Sequence, residues 1–503
     1  MKKIRHIILS ILIYSGLSGC SSFLDVDIPD ALLDKDYWKT RDQIEAALYG
    51  TYTQLGKCVT LFLPWGDARS NLYSRNISEA NKDQIINQDI LPTNTFAEWG
   101  PVYTAINFAN SFIQNAHRVR DYDITLSATE VNNMIGEMYG VRALCYFYLV
   151  RTFKEVPLYM QAYESDKQNP SAPAVSETTA LDTIESDLKK ALNMAPEDFP
   201  DRQNNYGRIT RKAIKALWAD VKLWRGDYTG CITLCEELEK EFAGKMELPE
   251  NWFNMFGEGN STESIFEYQF SNNGIKSPLG TYFAYAYTAR GQAVFAANFK
   301  GYRKDMQKVY TSDGNRMFSD TIRTYGATIG AQGFNNFDVY KYMGITKGYE
   351  EYQFRDAITV NDAHFIFYRF REILLMKAEA LAMTGKFSEA LVPINEIRKA
   401  TGLEETTPAK FGTGEMFFDK LLCERVAELA FEGKQWFSMV RIARHTGYRN
   451  LLTDRVADAH LYLSSLVVKA RLQDEEGWFF PYLEDEVTKN QLLEQKEFYK
   501  GKN

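Results

Sequence analysis

The sequence contains little cysteine and histidine. Its 503 residues include six cysteines and five histidines, with no His-Glu-x-x-His and no Cys-x-x-Cys motif. We therefore expect no transition-metal site. Five cysteines follow Cys20, and an odd number without regular spacing is not a disulfide framework. We interpret them as buried small hydrophobic residues rather than redox centres; they are Cys58, Cys145, Cys231, Cys235 and Cys423.

Sequence signatures of enzymes are missing too. There is no Gly-x-Ser-x-Gly elbow, no phosphate-binding Gly-x-x-x-x-Gly-Lys-Ser/Thr loop and no Gly-x-Gly-x-x-Gly fingerprint. The best catalytic candidate is the pair Glu424 and Glu428 on one helix face, since a glycosidase needs two carboxylates about 5 to 10 Å apart. Such pairs are common on solvated or ion-paired helices. We expect no catalytic residue, no cofactor and no enzyme activity.

Positive charge is in deficit. The chain has 58 Lys and Arg against 66 Asp and Glu, a formal net charge of −8. This balance gives no reason to expect nucleic acid as a partner. With 45% hydrophobic and 25% charged residues, the composition is that of a folded globular chain.

Long apolar runs are also missing, and the one at the start is short. Ile7 to Leu17 is apolar but too short to cross a bilayer of roughly 30 Å, which needs about 20 residues. Because it follows a lysine- and arginine-containing start, it is typical of a signal peptide over residues 1–19.

The end of that run has a recognisable pattern. Leu17-Ser18-Gly19-Cys20 resembles the lipobox of bacterial lipoproteins, in which the cysteine is acylated and becomes the mature N-terminus. Plain secretion with an incidental cysteine is the alternative. We predict that the mature chain begins at Cys20, carries palmitate there, and is tethered to a membrane by lipid.

The rest of the chain is mostly helical in its periodicity. From Phe370 to Leu381 the apolar and small residues recur at i, i+3 and i+4, the pattern of one buried helix face. β signals are confined to short pieces such as Ser264 to Phe270. A mainly α fold is predicted, with further helices at about 37–55, 103–119, 131–152, 177–193, 210–225, 229–242, 387–400 and 416–432.

Two distant segments share an internal pattern. A small residue, a glycine, an aromatic and a second small residue recur at offsets of seven, two and three; they are Ala219, Gly226, Tyr228 and Cys231, then Ala378, Gly385, Phe387 and Ala390. The spacing resembles a tetratricopeptide repeat, in which the glycine forms the turn and the small residues let two helices approach. Two generic helical hairpins are the alternative. In either case these residues are scaffold.

The stretch from about 260 to 345 interrupts the helical pattern. From residue 271 it carries eight tyrosines and is rich in Gly and Asn. Insertions of this kind often carry binding surfaces, although a structural cap whose tyrosines pack is the alternative. We expect a loop-rich ligand-binding insertion between helical scaffold segments at about 20–225 and 365–503.

Binding-type side chains concentrate in "PWGDARSNLY", residues 64–73. Aromatic faces suit the apolar face of a sugar ring, and Asp, Asn and Arg suit its hydroxyls; for Trp65 a buried position on a hairpin is the alternative. We predict two walls of a ligand surface. The first comprises Trp65, Asp67, Arg69, Asn71 and Tyr73, and the second comprises Tyr282, Tyr285, Tyr287 and Arg290. In contrast, we expect Trp99, Trp218 and Trp436 to be scaffold.

Longer segments resemble the SusD-like (RagB/SusD) family. They include "YRFREILLMKAEALAMTGKFSEALVPINEIRKATGL" at 368–403, "LLCERVAELAFEGKQWFSMVRIARHTG" at 421–447 and "FFPYLEDEVTKNQLLEQKEFY" at 479–499. The resemblance also covers 20–29, 99–113, 136–158 and 207–228. The departures are local: Ser438 replaces the family's usual aspartate, and Pro481-Tyr482-Leu483 replaces its Pro-x-Pro.

The resemblance implies an SusD-like α-helical fold with a single domain over 20–503. It also implies a lipid-anchored protein of the outer membrane that faces the cell exterior. Such proteins capture oligosaccharides for a SusC-like TonB-dependent transporter and break no bonds. The family's ligand residues follow no fixed motif, so none is carried over. A peptide or other nutrient as ligand, a glycoside hydrolase and a structural surface protein remain as alternatives.

Overall fold

The structure is a computed structural model, and most of the chain after its first 36 residues is described. The described residues are 37–75, 78–165, 167–248, 251–271, 274–279, 295–298, 300–301, 304–305, 336–337, 341–342 and 362–502. In these ranges no helix is long and apolar enough to span a membrane.

Helices form most of the described chain. In the first half they are α1 (Arg41–Asp67), α2 (Ala80–Ile86), α3 (Gly100–Asn115), α4 (Ala128–Phe153), α5 (Glu177–Met194), α6 (Arg202–Gly207), α7 (Arg211–Arg225), α8 (Tyr228–Phe242) and α9 (Trp252–Gly257). In the second half they are α10 (Phe370–Met383), α11 (Phe387–Ala400), α12 (Pro408–Phe411), α13 (Gly414–Leu429), α14 (Gln435–Thr446), α15 (Asn450–Ala459), α16 (Ser465–Arg471) and α17 (Glu484–Lys489). Short 3-10 turns lie at Thr95–Ala97, Ala116–Asp121, Glu475–Trp478 and Glu497–Tyr499.

The helix boundaries follow from local sequence. Thr40 and Ser127 begin α1 and α4 with capping boxes, in which the glutamine or glutamate three residues later bonds back to the cap. The mainly α prediction is confirmed. Among the predicted helices the largest difference is at α1, which continues to Asp67 and so includes Trp65. The predicted list does not include α14 and α15.

Strands are short and form three small antiparallel sheets. They are β1 (Tyr73–Arg75), β2 (Val156–Pro157), β3 (Ala174–Val175), β4 (Ser264–Tyr268), β5 (Phe295–Asn298), β6 (Asn336–Phe337) and β7 (Phe365–Arg369). β4 pairs with β7, β2 with β3, and β5 lies between β1 and β6. The pairing of β1 with β5 joins the insertion to the end of the first scaffold helix.

The two repeat-like segments form helical hairpins that are neighbours in space. α7 and α8 turn at Gly226 (φ +86°), and α10 and α11 turn at Gly385 (φ +81°), conformations that glycine adopts without strain. Each hairpin packs on itself, and α10 also packs against α8. The scaffold therefore brings together two hairpins that are far apart in the sequence.

An aromatic core joins α1, α3 and α4. The rings of Phe62 and Tyr148 stack with centroids 3.8 Å apart, while Trp65 and Trp99 contact Phe153 edge to face at 5.3 and 5.0 Å. Such pairs stabilise a core beyond the burial of their area. Trp99 and Trp436 are buried and Trp218 is half-buried, which confirms their scaffold position.

Candidate functional site

The first predicted wall begins inside α1. Trp65 is fully buried, and its indole Nε1 donates a hydrogen bond to the carbonyl oxygen of Phe96 at 2.7 Å. A buried tryptophan normally pairs its N–H in this way. Trp65 is therefore a core residue, which confirms the buried position given above as the alternative to a ligand-binding one. It lies on a helix, however, and not on a hairpin.

Asp67 caps a helix that lies far away in the sequence. Its Oδ2 accepts from the N–H of Gly433 at 2.8 Å, and its Oδ1 accepts from the N–H groups of Lys434 and Gln435 at 3.0 and 2.7 Å. α14 begins there without a side-chain cap of its own. A Cβ on Gly66 would lie 1.8 Å from the Gly433 carbonyl oxygen, so only glycine permits this approach. Burial raises the pKa of Asp67 to about 6, against the three N–H bonds that lower it.

Arg69 holds the C-terminal segment. Its Nη1 and Nη2 donate to the carbonyl oxygens of Trp478 and Gly477, each at 2.7 Å, and its Nε donates to Gln88 Oε1 at 2.9 Å. The guanidinium also lies 4.3 Å from the centre of the Trp436 ring. Burial lowers the pKa of Arg69 to about 10. Its donors are therefore used inside the protein.

Asn71 and Tyr73 contact the insertion. Asn71 Nδ2 donates to Asp305 Oδ2 at 2.7 Å. Tyr73 lies in β1, opposite β5, and its ring packs against Phe431 with centroids 5.5 Å apart. Both side chains thus face protein and not solvent.

The prediction that this stretch forms an exposed ligand wall is wrong. All five side chains are at most 4% exposed; they are Trp65, Asp67, Arg69, Asn71 and Tyr73. Most partners of Asp67 and Arg69 are more than 300 residues away in the sequence; the near ones are Tyr73, whose hydroxyl donates to Asp67, and Gln88. Residues 64–73 alone resemble a binding loop, because aromatic and polar residues alternate in them. The distant residues that bury these side chains cannot be seen in that short stretch.

The second predicted wall lies outside the described residues, as does the lipidation residue. These are Tyr282, Tyr285, Tyr287 and Arg290, and Cys20. They stay predictions. The described chain resumes at Phe295 in β5, which pairs with β1, so the structure does bring the chain that follows the second stretch beside the end of the first.

A polar cleft lies where the insertion meets α13 and α15. Its volume is about 550 Å³, and it is lined by Lys304, Asp305, Glu415, Met416, Asp419, Asn450, Leu451, Asp454, Arg455 and Asp458. Five carboxylates face two cations along this lining. Met416 contributes exposed apolar surface, with 56% of it accessible. Carboxylate and amide groups of this kind pair well with hydroxyl-bearing ligands.

The charges of the cleft are tied to one another. Lys304 Nζ lies 2.6 Å from Asp458 Oδ2, and this hydrogen bond lowers the pKa of Asp458. Arg455 contacts both Asp305 and Asp419. Burial lowers the pKa of Arg455, but the two carboxylates and Cys423 raise it by more. The net shift of the pKa is therefore upward. The cleft therefore presents charged groups that hold one another in place.

The carboxylate pair on α13, Glu424 and Glu428, does not line the polar cleft. Glu424 pairs with Arg398 at 2.5 Å, and Glu428 Oε1 lies 2.9 Å from Arg369 and 3.4 Å from Arg371. Both glutamates are buried. The ion-paired interpretation of this pair is confirmed, and the geometry leaves neither carboxylate open to a substrate.

The described part of the chain has neither a cluster of metal ligands nor a disulfide. Within the described ranges, no group of three or more His, Cys, Asp or Glu side chains is arranged to hold a metal ion. The five cysteines after Cys20 are buried and unbridged, which confirms their interpretation as small core residues.

The cleft residues were missed at the sequence level. Lys304 and Asp305 belong to the insertion, whereas Asn450, Arg455 and Asp458 belong to α15. The only local signal is the alternation of acidic and basic residues in "LLTDRVADAH", which is typical of any solvated helix face. Their meeting depends on the pairing of β5 with β1, which no local pattern specifies.

Comparison with known families gives two matches that together span most of the chain. A model described as the SusD family matches residues 287–499, and one described as starch-binding associating with outer membrane matches residues 23–223. A SusD-like protein of Formosa agariphila is 24% identical over 490 residues, covering 88% of this chain and 92% of that protein.

Solved structures share the fold. A SusD superfamily protein from Bacteroides thetaiotaomicron matches with a TM-score of 0.72 at 20% identity, covering 92% of this chain and 99% of that one. A laminarin-binding SusD-like protein matches with a TM-score of 0.65 at 19% identity, covering 92% of this chain and 100% of that one. At such identities the likeness is one of fold.

Proposed function

Since the chain belongs to the SusD-like family, we propose that it is a glycan-binding lipoprotein of the outer membrane that captures oligosaccharides without cleaving them. The observation that carries the proposal is the family match over residues 23–223, whose description is starch binding with outer-membrane association. The laminarin-binding neighbour, which shares the fold over nearly its whole length, supports a glycan as ligand.

The ligand surface in this proposal lies on the insertion and along the polar cleft. Tyr282, Tyr285, Tyr287 and Arg290 supply stacking faces and a cationic donor, and the cleft supplies carboxylate and amide groups for hydroxyls. Rings stack on the apolar face of a sugar while polar groups fix its rim. Among the described lining residues the cleft has no aromatic ring, so the tyrosines provide what it lacks.

The proposal includes no catalysis. The pair Glu424 and Glu428 is buried and occupied by arginines, and hydrolysis would need an acid and a nucleophile or base facing one bond. Proposed partners are the oligosaccharide, the outer membrane through lipid on Cys20, and a SusC-like TonB-dependent transporter that receives the ligand. The protein faces the cell exterior in this arrangement.

A binding panel tests the glycan assignment. Purified protein is run by affinity electrophoresis against laminarin, starch and other neutral polysaccharides, with a peptide digest as the competing class. Retardation by at least one polysaccharide supports the proposal. Binding of peptides with no polysaccharide retained would contradict it and favour the peptide alternative.

Two variants locate the surface. Tyr285→Ala and Asn450→Ala are each expected to weaken binding of the retained polysaccharide, because one removes a stacking face and the other a cleft amide. Tyr122→Ala is the matched control: this scaffold tyrosine is 63% exposed and does not line the cleft. An equal loss of affinity in all three variants would mean that the surface is misplaced.

A further inference from the structure

One part of the insertion, residues 295–298, 300–301 and 304–305, contacts the scaffold beside the polar cleft. β5 pairs with β1, and Asn298 Nδ2 donates to the carbonyl oxygen of Ala459 at 3.0 Å. Gly301 sits against Asn71, where a Cβ would lie 1.9 Å from the Asn71 carbonyl oxygen. The described residues of the segment 295–305, which are 295–298, 300–301 and 304–305, thus lie against the end of α15 and against the chain before β1.

A buried charge completes this contact. Asp305 is 2% exposed and Arg455 is 7% exposed. Asp305 accepts from Asn71 Nδ2 through one oxygen and pairs with Arg455 Nη1 through the other. Arg455 Nη2 reaches Asp419 Oδ1 on α13 at 2.5 Å. One carboxylate of the insertion is therefore fixed by an amide from the chain before β1 and by a guanidinium that also holds α13.

Asn71 lies outside the lining of the polar cleft. Asp305 and Arg455 line the cleft, whereas Asn71 does not, and its amide N–H₂ is directed to Asp305. A buried carboxylate needs its hydrogen bonds and its counter-charge together, since losing one leaves a poorly solvated charge. Releasing the segment 295–305 into water relieves that penalty without unfolding the helices.

We propose that Asn71 is a positioning residue for ligand binding, which acts through Asp305 by fixing the insertion at the rim of the polar cleft. This inference rests on the proposed function of the cleft. In this inference Asn71 holds Asp305 in place and does not itself contact the ligand. We therefore expect ligand affinity to depend on whether the hydrogen bond between positions 71 and 305 forms, and not on which residue stands at position 71.

The test uses substitutions of equal size. Asn71→Asp places two carboxylates together and removes the donor. The swapped variant, Asn71→Asp with Asp305→Asn, restores one donor and one acceptor in the reverse order. Asn110→Asp is the matched control: Asn110 is also buried, and its Nδ2 donates to the carbonyl oxygens of Tyr159 and Gln161 on a part of the scaffold outside the cleft.

Hydrogen exchange of the ligand-free full chain is measured first. We expect exchange in the peptide spanning 295–305 to accelerate at least tenfold in Asn71→Asp and to return within threefold of wild type in the swapped variant. Exchange there should be unchanged in Asn110→Asp. No acceleration in Asn71→Asp, or the same acceleration in Asn110→Asp, would overturn the proposal.

Affinity for laminarin is the second readout. Asn71→Asp should weaken it about tenfold, with recovery in the swapped variant. Normal affinity in a variant whose segment is released would overturn the positioning role. If wild-type protein binds no polysaccharide of the panel, the proposed function fails, while the exchange result still decides whether Asn71 fixes the segment through Asp305.

Discussion

Replacing Asp67 by alanine removes the cap that one half of the scaffold gives to the other. Three buried backbone N–H groups, those of Gly433, Lys434 and Gln435, lose their acceptor. A buried donor left without a partner costs about 1 to 3 kcal/mol. Allowing for partial relaxation, we expect the free energy of unfolding to fall by about 3 to 5 kcal/mol, a large share of the typical total of about 5 to 15 kcal/mol.

The same carboxylate has a characteristic pH dependence. Burial raises its pKa in the folded state to about 6 from an ordinary value of 3.8. Between these values the folded chain takes up a proton more readily than the unfolded chain. The contribution of Asp67 to stability is therefore greatest at low pH and is lost as the pH rises through 6. From pH 7 to pH 5 it should increase by about 1 kcal/mol, an increase that Asp67→Asn abolishes.

Urea unfolding followed by circular dichroism measures this difference. The cost of Asp67→Asn should be greater at pH 5 than at pH 7 by about 1 kcal/mol. Asp201→Asn is the control, because Asp201 is an exposed cap of α6 whose pKa is lowered by the N–H and amide of Asn204. The contribution of Asp201 to stability falls only below pH 5, so the cost of Asp201→Asn should be equal at pH 5 and pH 7. An equal cost of Asp67→Asn at the two pH values would refute the reasoning.

Three further predictions concern single side chains. Trp65→Ala should lower the free energy of unfolding by about 3 to 5 kcal/mol and leave glycan affinity unchanged by calorimetry; weakened binding with normal stability would contradict its core position. Ser438→Asp should raise the unfolding free energy by about 1 to 2 kcal/mol, because the Ser438 hydroxyl that accepts from Arg425 Nε at 2.9 Å becomes a carboxylate; Ser438→Asn is the uncharged control, and an equal gain there would refute the charge argument. Cys20→Ala should abolish palmitate labelling and membrane retention, and retention without label would contradict the anchor.

The helical scaffold was predictable because its signals are local. The period of apolar residues from Phe370 to Leu381 and the cap residues Thr40 and Ser127 act within one or two turns. The hairpin turn at Gly385 is equally local, since a left-handed residue is needed there. These features need no knowledge of what the helix packs against.

The candidate site was not predictable in the same way. Arg69 is buried against Gly477 and Trp478, to which it donates, and the insertion meets α15 at the cleft through the ion pair of Asp305 and Arg455. Each of these contacts joins residues more than 100 positions apart. A local pattern of aromatic and polar side chains cannot distinguish an open binding loop from a buried junction.

The central claim is that the protein binds a glycan and does not cleave it. The most direct measurement is isothermal titration of the purified chain with laminarin oligosaccharides, followed by chromatographic sizing of the sugar recovered from the same cell after long incubation. The account predicts saturable binding heat and recovered chains of unchanged length. Saturable binding with shortened chains, or no binding heat where a peptide digest gives one, would contradict it.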